Sequence, residues 1–289
     1  MIRAAIGPYQ LVRRLGFGGM AEVHLAIAHG ASGFERKVAV KTLLPERAGD
    51  PALERALINE ATIGGALAHR NLVAVLALGH ADGAYYVVMD YVDGGDLAAH
   101  LHDAALPRPL ALYVASELAR GLAYLHAARD ARGLPLGLVH RDVSPANVLV
   151  STTGDVKLGD FGVAKATALA DLTAAGTRKG KYAYMAPEQL VGEPIDQRAD
   201  QFGLAVTLVE LVTGARPFAG DTPWAIHEAI VREPPQLDGM PDALAAIARR
   251  ALAPDPGARF ATMIELATAL ATEERADADG LASWLRDRP

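Results

Sequence analysis

The segment from His140 to Asn147, together with the later tripeptide Asp160-Phe161-Gly162, carries the densest set of chemically useful side chains in the sequence. Asp142, Asn147 and Asp160 are oxygen-bearing groups on predicted turns that flank strands. Mg²⁺ prefers such hard oxygen ligands, supplemented by the phosphate groups of a substrate. A single Asp more often forms a turn or caps a helix, but the combined block indicates a site for a metal-bound phosphate.

A glycine-rich stretch, Gly16 to Val23, lies between two predicted strands. Glycines allow backbone N–H groups to approach phosphate oxygens closely. The alternative is an ordinary hairpin turn, which is the better interpretation of this stretch alone because an isolated glycine-rich loop is a weak signal. A strand follows the stretch, whereas a dinucleotide-binding loop requires a helix there.

Lys41 ends the apolar strand sequence Val38-Ala39-Val40. A buried ammonium group is costly unless it is paired, and Glu60, on the next predicted helix, is a candidate partner. Taken alone, the lysine is better explained by a side chain that extends to solvent.

The elements that must position these groups form a strand-rich first part and a larger helical second part, an α+β arrangement. Strands are predicted over 9–15, 22–28, 37–43 and 85–92, a helix over 51–67, and mostly helices after residue 110. Gly64 and Gly65 should weaken the first helix, since each costs about 1 kcal/mol in a helix interior. The turn-rich Asp93–Asp96 segment is a candidate hinge, and a charged tail from about residue 272 is expected to form a loosely attached helix.

Composition excludes several classes of protein. Of the 289 residues, 51% are hydrophobic and 21% charged, which excludes general disorder. The absence of Cys excludes disulfides, a thiolate nucleophile and Cys-ligated zinc. A net charge of −6 disfavours nucleic acid as a partner. We see no signal peptide, and the apolar run over 202–212 is too short to span a membrane, so a cytoplasmic protein is expected.

In order and spacing, these motifs resemble those of bacterial eukaryotic-like serine/threonine protein kinases over roughly residues 9–272. The matching positions are Gly16–Val23, Lys41, Glu60, His140–Asn147, Asp160–Gly162, Ala186-Pro187-Glu188, Asp200 and Arg259. The resemblance implies a two-lobed fold, with a small antiparallel sheet and one helix over 9–91, a larger mainly helical lobe over 92–272, and a tail over 273–289. It also implies that Arg259 pairs with Glu188.

The resemblance further implies ATP, Mg²⁺ and protein substrates, and allows a dimer. Asp142 would accept the proton of the substrate hydroxyl, Glu60 would hold Lys41, and Asn147 and Asp160 would bind the metal. The residues expected around the nucleotide are Leu15, Gly16, Gly18, Val23, Ala39, Lys41, Met89, Asp90, Val92, Asp96 and Leu149. Thr177 and Thr173 are candidate regulatory phosphorylation sites, where a phosphate could pair with Arg141 and Lys165.

Two departures from the family pattern look linked. The family usually has Lys two residues after the catalytic Asp and Thr five residues before the Ala of Ala-Pro-Glu, where this sequence has Ser144 and Lys181. We hypothesise that Lys181 supplies the phosphate-stabilising charge and Ser144 the hydrogen bond, which requires the Lys181 amine within about 6 Å of the Asp142 carboxylate. The alternative is a weakened enzyme whose Lys181 faces solvent.

Two other functions compete with an active protein kinase. A pseudokinase that acts as a scaffold is disfavoured because Lys41, Asp142, Asn147 and Asp160 are all retained. A small-molecule phosphotransferase is disfavoured because the Ala186-Pro187-Glu188 segment belongs to the apparatus that binds protein substrates.

Overall fold

The computed structural model describes residues 5–101, 105–160 and 181–287. The chain divides into two compact units. Within the described residues, the first unit comprises 5–69 and 73–91, and the second comprises 70–72, 92–160 and 181–287.

The first unit is built on a six-stranded antiparallel sheet in the order β1-β2-β3-β4-β6-β5. Its strands are β1 (Ala5–Ile6), β2 (Tyr9–Phe17), β3 (Ala21–His29), β4 (Glu35–Leu43), β5 (Val75–Ala81) and β6 (Ala84–Asp90). The four predicted strands are therefore confirmed as β2, β3, β4 and β6. The sequence did not predict β1, which has only two residues, or β5, whose partly buried positions include Ala and Gly rather than larger β-formers.

Helix α1 (Pro51–Gly65) packs on one face of this sheet. It begins where the Asp50 side chain accepts hydrogen bonds from the Ala52 and Leu53 N–H groups. Leu57 and Ala61 pack with Val87 of β6 in one apolar cluster. The helix ends at Gly65 rather than at residue 67, so the two glycines lie in its last turn and the full cost of an interior glycine does not apply.

The second unit is mainly helical. Its helices are α2 (Leu97–His100), α3 (Arg108–His126), α4 (Pro187–Val191), α5 (Arg198–Thr213), α6 (Pro223–Arg232), α7 (Asp242–Ala251), α8 (Met263–Leu270) and α9 (Ala278–Arg286). Most residues of α3 and α5 are buried, which explains why the apolar run over 202–212 has no polar face. None of the helices in the described part of the chain could span a membrane.

A three-stranded sheet, β7 (Gly94–Asp96), β8 (Val148–Ser151) and β9 (Val156–Leu158), completes the second unit. The segment predicted as a turn is therefore mostly strand. A Cβ atom on Gly94 would lie 1.9 Å from the Val150 backbone oxygen, so this glycine permits close strand approach rather than a turn. Asp96 lies opposite Leu149 in the β7–β8 register.

The expected pair of Glu188 and Arg259 is confirmed. The Arg259 guanidinium donates to both Glu188 carboxylate oxygens, at 2.7 and 2.8 Å. It also donates to the backbone oxygens of Ala253, Arg198 and Pro254. This buried charge pair is thus extensively hydrogen-bonded, which offsets the cost of removing it from water.

The tail was wrongly expected to be loosely attached. It forms α9, in which Leu281 is fully buried and Ala282 nearly so. The sequence predicts a helix in the tail but does not show which surface that helix packs against.

Candidate active site

Strand β4 and helix α1 bring Lys41 and Glu60 together in the first unit. Lys41 Nζ lies 2.8 Å from Glu60 Oε1, and the two side chains are only 12% and 14% exposed. The lysine therefore does not simply extend to solvent. An ion pair this shielded holds the ammonium in a fixed place, because leaving either charge alone at this depth would be costly.

The glycine-rich stretch is the hairpin that joins β2 to β3. The Gly18 N–H donates to the Ala21 oxygen at 2.8 Å, which closes the turn. A Cβ atom on Gly16 would meet no atom within 4 Å, and one on Gly18 would have the Ala21 oxygen at 3.9 Å. Contacts within the described residues thus do not demand glycine at these positions, and a hairpin turn and a phosphate-binding loop are both consistent with this geometry.

The residues expected around a nucleotide are divided between the two units. In the first unit, Val23 lies opposite Lys41, and Ala39 opposite Met89. The Asp90 carboxylate accepts a hydrogen bond from Arg36 at 2.7 Å, so its side chain is engaged with the sheet.

In the second unit, the expected ribose contact, Asp96, caps α2 by accepting from the Ala99 N–H at 2.9 Å. Leu149 is on β8 of this unit, and Val92 lies two residues before β7, whereas Leu15 is on β2 of the first unit.

The backbone of the segment around His140 is anchored by Asp200 of α5. This carboxylate is 1% exposed. It accepts hydrogen bonds from the His140 N–H at 2.8 Å, the Arg141 N–H at 2.7 Å and His126 Nε2 at 2.7 Å. Arg141 adopts φ +68°, an uncommon conformation for a residue with a side chain. The two bonds from the His140 and Arg141 N–H groups hold the segment in this shape, and the bond from His126 ties the same carboxylate to α3.

Asp142 is 8% exposed and lies between Asn147 and Lys181. The Asn147 Nδ2 group donates to the Asp142 backbone oxygen at 2.7 Å. Lys181 Nζ donates to Asp142 Oδ2 at 2.7 Å, and the lysine side chain is 25% exposed. The distance meets the 6 Å limit set by the hypothesis, and the alternative of a solvent-facing Lys181 does not describe this geometry. Ser144 is buried beside them, and its backbone oxygen accepts from the Asn147 N–H at 3.0 Å.

Asp160 directly follows a residue that is tied to this segment. The Gly159 N–H donates to the Asn147 oxygen at 2.9 Å, and the Gly159 oxygen lies 3.1 Å from His140 Nε2. Asp160 itself has φ +54° and is exposed. Backbone strain in a non-glycine residue of this kind is concentrated at functional sites.

The oxygens of Asp160 and Asn147 fit a hard divalent cation. Because the Asn147 amide nitrogen is already used as a donor, its oxygen is the atom left to act as a ligand.

Some expected residues lie outside the part of the chain that the structure describes. They are Phe161, Gly162, Lys165, Thr173 and Thr177.

Two polar pairs in the second unit were missed from the sequence. One is His126 with Asp200, for which a lone histidine at the end of a helix gave no usable signal. The other is Tyr184, whose hydroxyl donates to Glu210 Oε2 at 2.5 Å. Burial raises the pKa of Glu210, while the bond from Tyr184 and the charge of Arg216 oppose that shift. Burial, together with the charge of Glu210, raises the pKa of Tyr184. An acidic residue within the apolar run over 202–212 was the signal that a buried partner existed.

Residues 9–270 match the protein kinase domain family, so this chain belongs to that family and has its two-lobed α+β fold. It is 42% identical over 276 residues to the tyrosine-protein kinase MasK of Myxococcus xanthus, covering 92% of this chain and 43% of MasK. It is 36% identical over 270 residues to the serine/threonine-protein kinase PknB of Mycobacterium tuberculosis, covering 89% of this chain and 41% of PknB. The chain therefore spans less than half the length of these relatives.

Among solved structures, the chain is similar to the kinase domain of Mycobacterium tuberculosis PknI. The TM-score is 0.70 and the identity 32%, over 94% of this chain and 99% of that one. At 32% identity, this similarity supports membership of the same family as well as a shared fold.

Proposed function

We propose that this domain transfers the γ-phosphate of ATP to serine or threonine hydroxyls of protein substrates. The observation that carries the proposal is the Asp142 carboxylate, buried, held 2.7 Å from the Lys181 amine, on a segment anchored by Asp200. A carboxylate fixed beside a cation can orient an incoming hydroxyl while the cation offsets the charge of the transferred phosphoryl group.

The first unit would bind the triphosphate. Lys41, fixed by Glu60, would hold the α- and β-phosphates, and the backbone N–H groups of the β2–β3 hairpin would cover them. Val23, Ala39 and Leu149 would contact the adenine ring, and Asp96 the ribose. Met89, Asp90 and Val92 would complete the adenine site.

Transfer itself requires few groups. As the substrate oxygen bonds to the γ-phosphorus, the bond from that phosphorus to the oxygen of ADP breaks, and the hydroxyl proton passes to Asp142. Lys181 would stabilise the phosphoryl oxygens, and Ser144 would donate a hydrogen bond. Phosphoryl transfer depends mostly on positioning and charge neutralisation, which this set supplies.

Asn147 and Asp160 would hold Mg²⁺. When bound, the cation would neutralise the negative charge of the phosphate groups. Two protein oxygens are few for a cation site, but substrate phosphates and water normally supply the remaining Mg²⁺ ligands.

The test is phosphorylation of a generic protein substrate with labelled ATP and Mg²⁺, using the whole chain. We expect label on protein with the wild type and at least a 10³-fold loss in Asp142→Asn. Asp238→Asn, an exposed aspartate elsewhere in the second unit, is the matched control and should retain activity. Nucleotide binding without transfer in the wild type would instead select the pseudokinase alternative.

A second candidate is tyrosine phosphorylation. It is favoured by the 42% identity to a relative named as a tyrosine-protein kinase. The exchange of the usual Lys and Thr for Ser144 and Lys181 is compatible with a hydroxyl preference other than serine or threonine, although the loop has no clear tyrosine-kinase pattern. Hydrolysis of the labelled product and separation of its phosphoamino acids decides between the two candidates.

We also propose Thr177 or Thr173 as the site of an activating phosphate. Arg141 supports this, because its Nε atom is buried and has no hydrogen-bond partner in the described part of the chain. A phosphate adds about −1.5 to −2 charge and would pair with such a guanidinium. Mass spectrometry of the autophosphorylated chain, with Thr177→Ala and Thr173→Ala variants, tests the proposal.

A further inference from the structure

Helix α9 lies outside residues 9–270, the part that matches the protein kinase domain family. It is nevertheless firmly packed in the second unit, since Leu281 is 0% exposed and Ala282 4%. Its contacts fall on three neighbouring elements.

The first contact is with the turn between β8 and β9. Gly154 in this turn has φ +84°, and a Cβ atom there would lie 1.9 Å from the Ala278 oxygen. Hydrogen bonds hold this turn in place: the Asp155 N–H donates to Ser151 Oγ at 2.9 Å, and the Tyr113 hydroxyl donates to the Gly154 oxygen at 3.2 Å. The start of α9 therefore contacts a hydrogen-bonded turn directly.

The other contacts are with α3 and α2. The Ala276 N–H, just before α9, donates to the Pro109 oxygen at 2.9 Å. Near the other end of α9, the Trp284 ring meets the His100 ring of α2 edge to face, with centroids 6.2 Å apart and planes at 63°. Such aromatic pairs add stabilisation beyond the area they bury.

These contacts bracket the part of the second unit that we propose binds the nucleoside. Strand β8 carries Leu149, the proposed adenine contact, and ends at the turn under Ala278. Asp96, the proposed ribose contact, lies opposite Leu149 and begins α2, which ends beside Trp284. Movement of α9 would thus remove its contacts with both α2 and the β8–β9 turn, the two elements that adjoin the paired residues Asp96 and Leu149.

We propose that α9 is a positioning element for ATP, acting through Trp284 on α2 and through Ala278 on the β8–β9 turn. This inference rests on the proposed function, since it needs Asp96 and Leu149 to contact the nucleotide. Asp142 is held separately, by Lys181 and by the anchor at Asp200. Loosening α9 should therefore weaken ATP binding more than it slows transfer.

The experiment uses four substitutions in the whole chain, one of them a matched control. Trp284→Ala removes the ring contact, Trp284→Phe preserves an aromatic ring, and Gly154→Ala pushes against the backbone of Ala278. Gly239→Ala is the matched control for the last, because Gly239 has φ +87° and a Cβ atom there would meet nothing within 4 Å. The measurements are KM for ATP, kcat, and hydrogen exchange of the amides over 94–100.

We expect Trp284→Ala and Gly154→Ala to raise KM for ATP about 5- to 10-fold, a coupling of ordinary size. The value of kcat should change less than twofold, and exchange over 94–100 should speed up. Trp284→Phe and Gly239→Ala should leave KM and exchange near the wild-type values. Should Gly154→Ala fail to fold, Trp284→Ala decides the question alone.

Unchanged KM and unchanged exchange in Trp284→Ala would overturn the inference while the proposed function stands. Equal losses in KM and kcat would also overturn it, since that pattern indicates a general structural role. A wild type that binds no ATP would instead overturn the proposed function, and with it the role assigned to α9.

Discussion

The Lys181 amine lies 2.7 Å from the Asp142 carboxylate, although the two residues are separated by 39 positions in the chain. A Lys two residues after the aspartate would be carried on the same turn, but that position is Ser144. The cation instead comes from a segment that leads into Glu188, which Arg259 fixes to the body of the second unit. The charge next to Asp142 therefore depends on the placement of that segment.

Replacing Lys181 with Met should lower kcat by about 10²-fold, the usual effect of removing one group that stabilises charge in the transition state. KM for ATP should change little, because the proposed triphosphate contacts are Lys41 and the β2–β3 hairpin. Steady-state kinetics at saturating ATP provide the measurement.

The double variant Ser144→Lys/Lys181→Thr restores the arrangement usual in the family and is the control. Its kcat should be at least tenfold higher than that of Lys181→Met. A Lys181→Met enzyme with wild-type kcat would show that the amine does not act on the phosphoryl group.

Pairs within the kinase motifs could be predicted from sequence because the resemblance to the protein kinase family implies which residues are partners, and a buried charge needs such a partner. Lys41 with Glu60 and Arg259 with Glu188 are of this kind, and both pairs are present. The pairing of β7 with β8 could not be predicted, because Gly94 looks like a turn residue until the approach of Val150 is known. The docking of α9 could not be predicted either, because the sequence of its apolar face does not show which surface it packs against.

The bidentate pair of Arg259 and Glu188 should be essential to stability. Arg259→Met leaves a carboxylate that is 5% exposed without its counter-charge, and breaking a buried pair in this way costs about 3–5 kcal/mol. The coupling energy is measured by urea unfolding of four proteins. These are the wild type, Arg259→Met, Glu188→Gln and the double variant Arg259→Met/Glu188→Gln. The double variant should be more stable than Arg259→Met alone. Additive losses would show that the two side chains act independently.

Gly65 offers a stabilising substitution at the end of α1. It lies within the helix, and a Cβ atom there would meet nothing within 4 Å. Gly65→Ala should therefore raise the free energy of unfolding, because alanine has the higher helix propensity, but by less than the roughly 1 kcal/mol of an interior helix position, since Gly65 is the last residue of α1. Gly33→Ala is the contrast, since Gly33 is equally unobstructed but has φ +79° and should lose stability. Urea midpoints that move in the same direction for both variants would contradict this reasoning.

The buried Glu210 should make stability depend on pH. Burial raises its pKa in the folded chain, so the unfolded chain loses the proton first as pH increases. The stabilisation that protonated Glu210 contributes is fully present below the ordinary glutamate pKa of about 4.3. It is lost as the pH rises through the raised pKa of Glu210 in the folded chain. Glu210→Gln cannot titrate but still offers an oxygen to Tyr184, so its stability relative to the wild type should increase across that interval.

Urea unfolding of both proteins from pH 4 to pH 8 measures this difference. The hydrogen bond from Tyr184 opposes the rise in the Glu210 pKa, so Tyr184→Phe should raise that pKa further. The loss of stability with increasing pH should then continue to higher pH in this variant. A constant difference between wild type and Glu210→Gln over the whole range would mean that Glu210 titrates alike in the folded and unfolded chains.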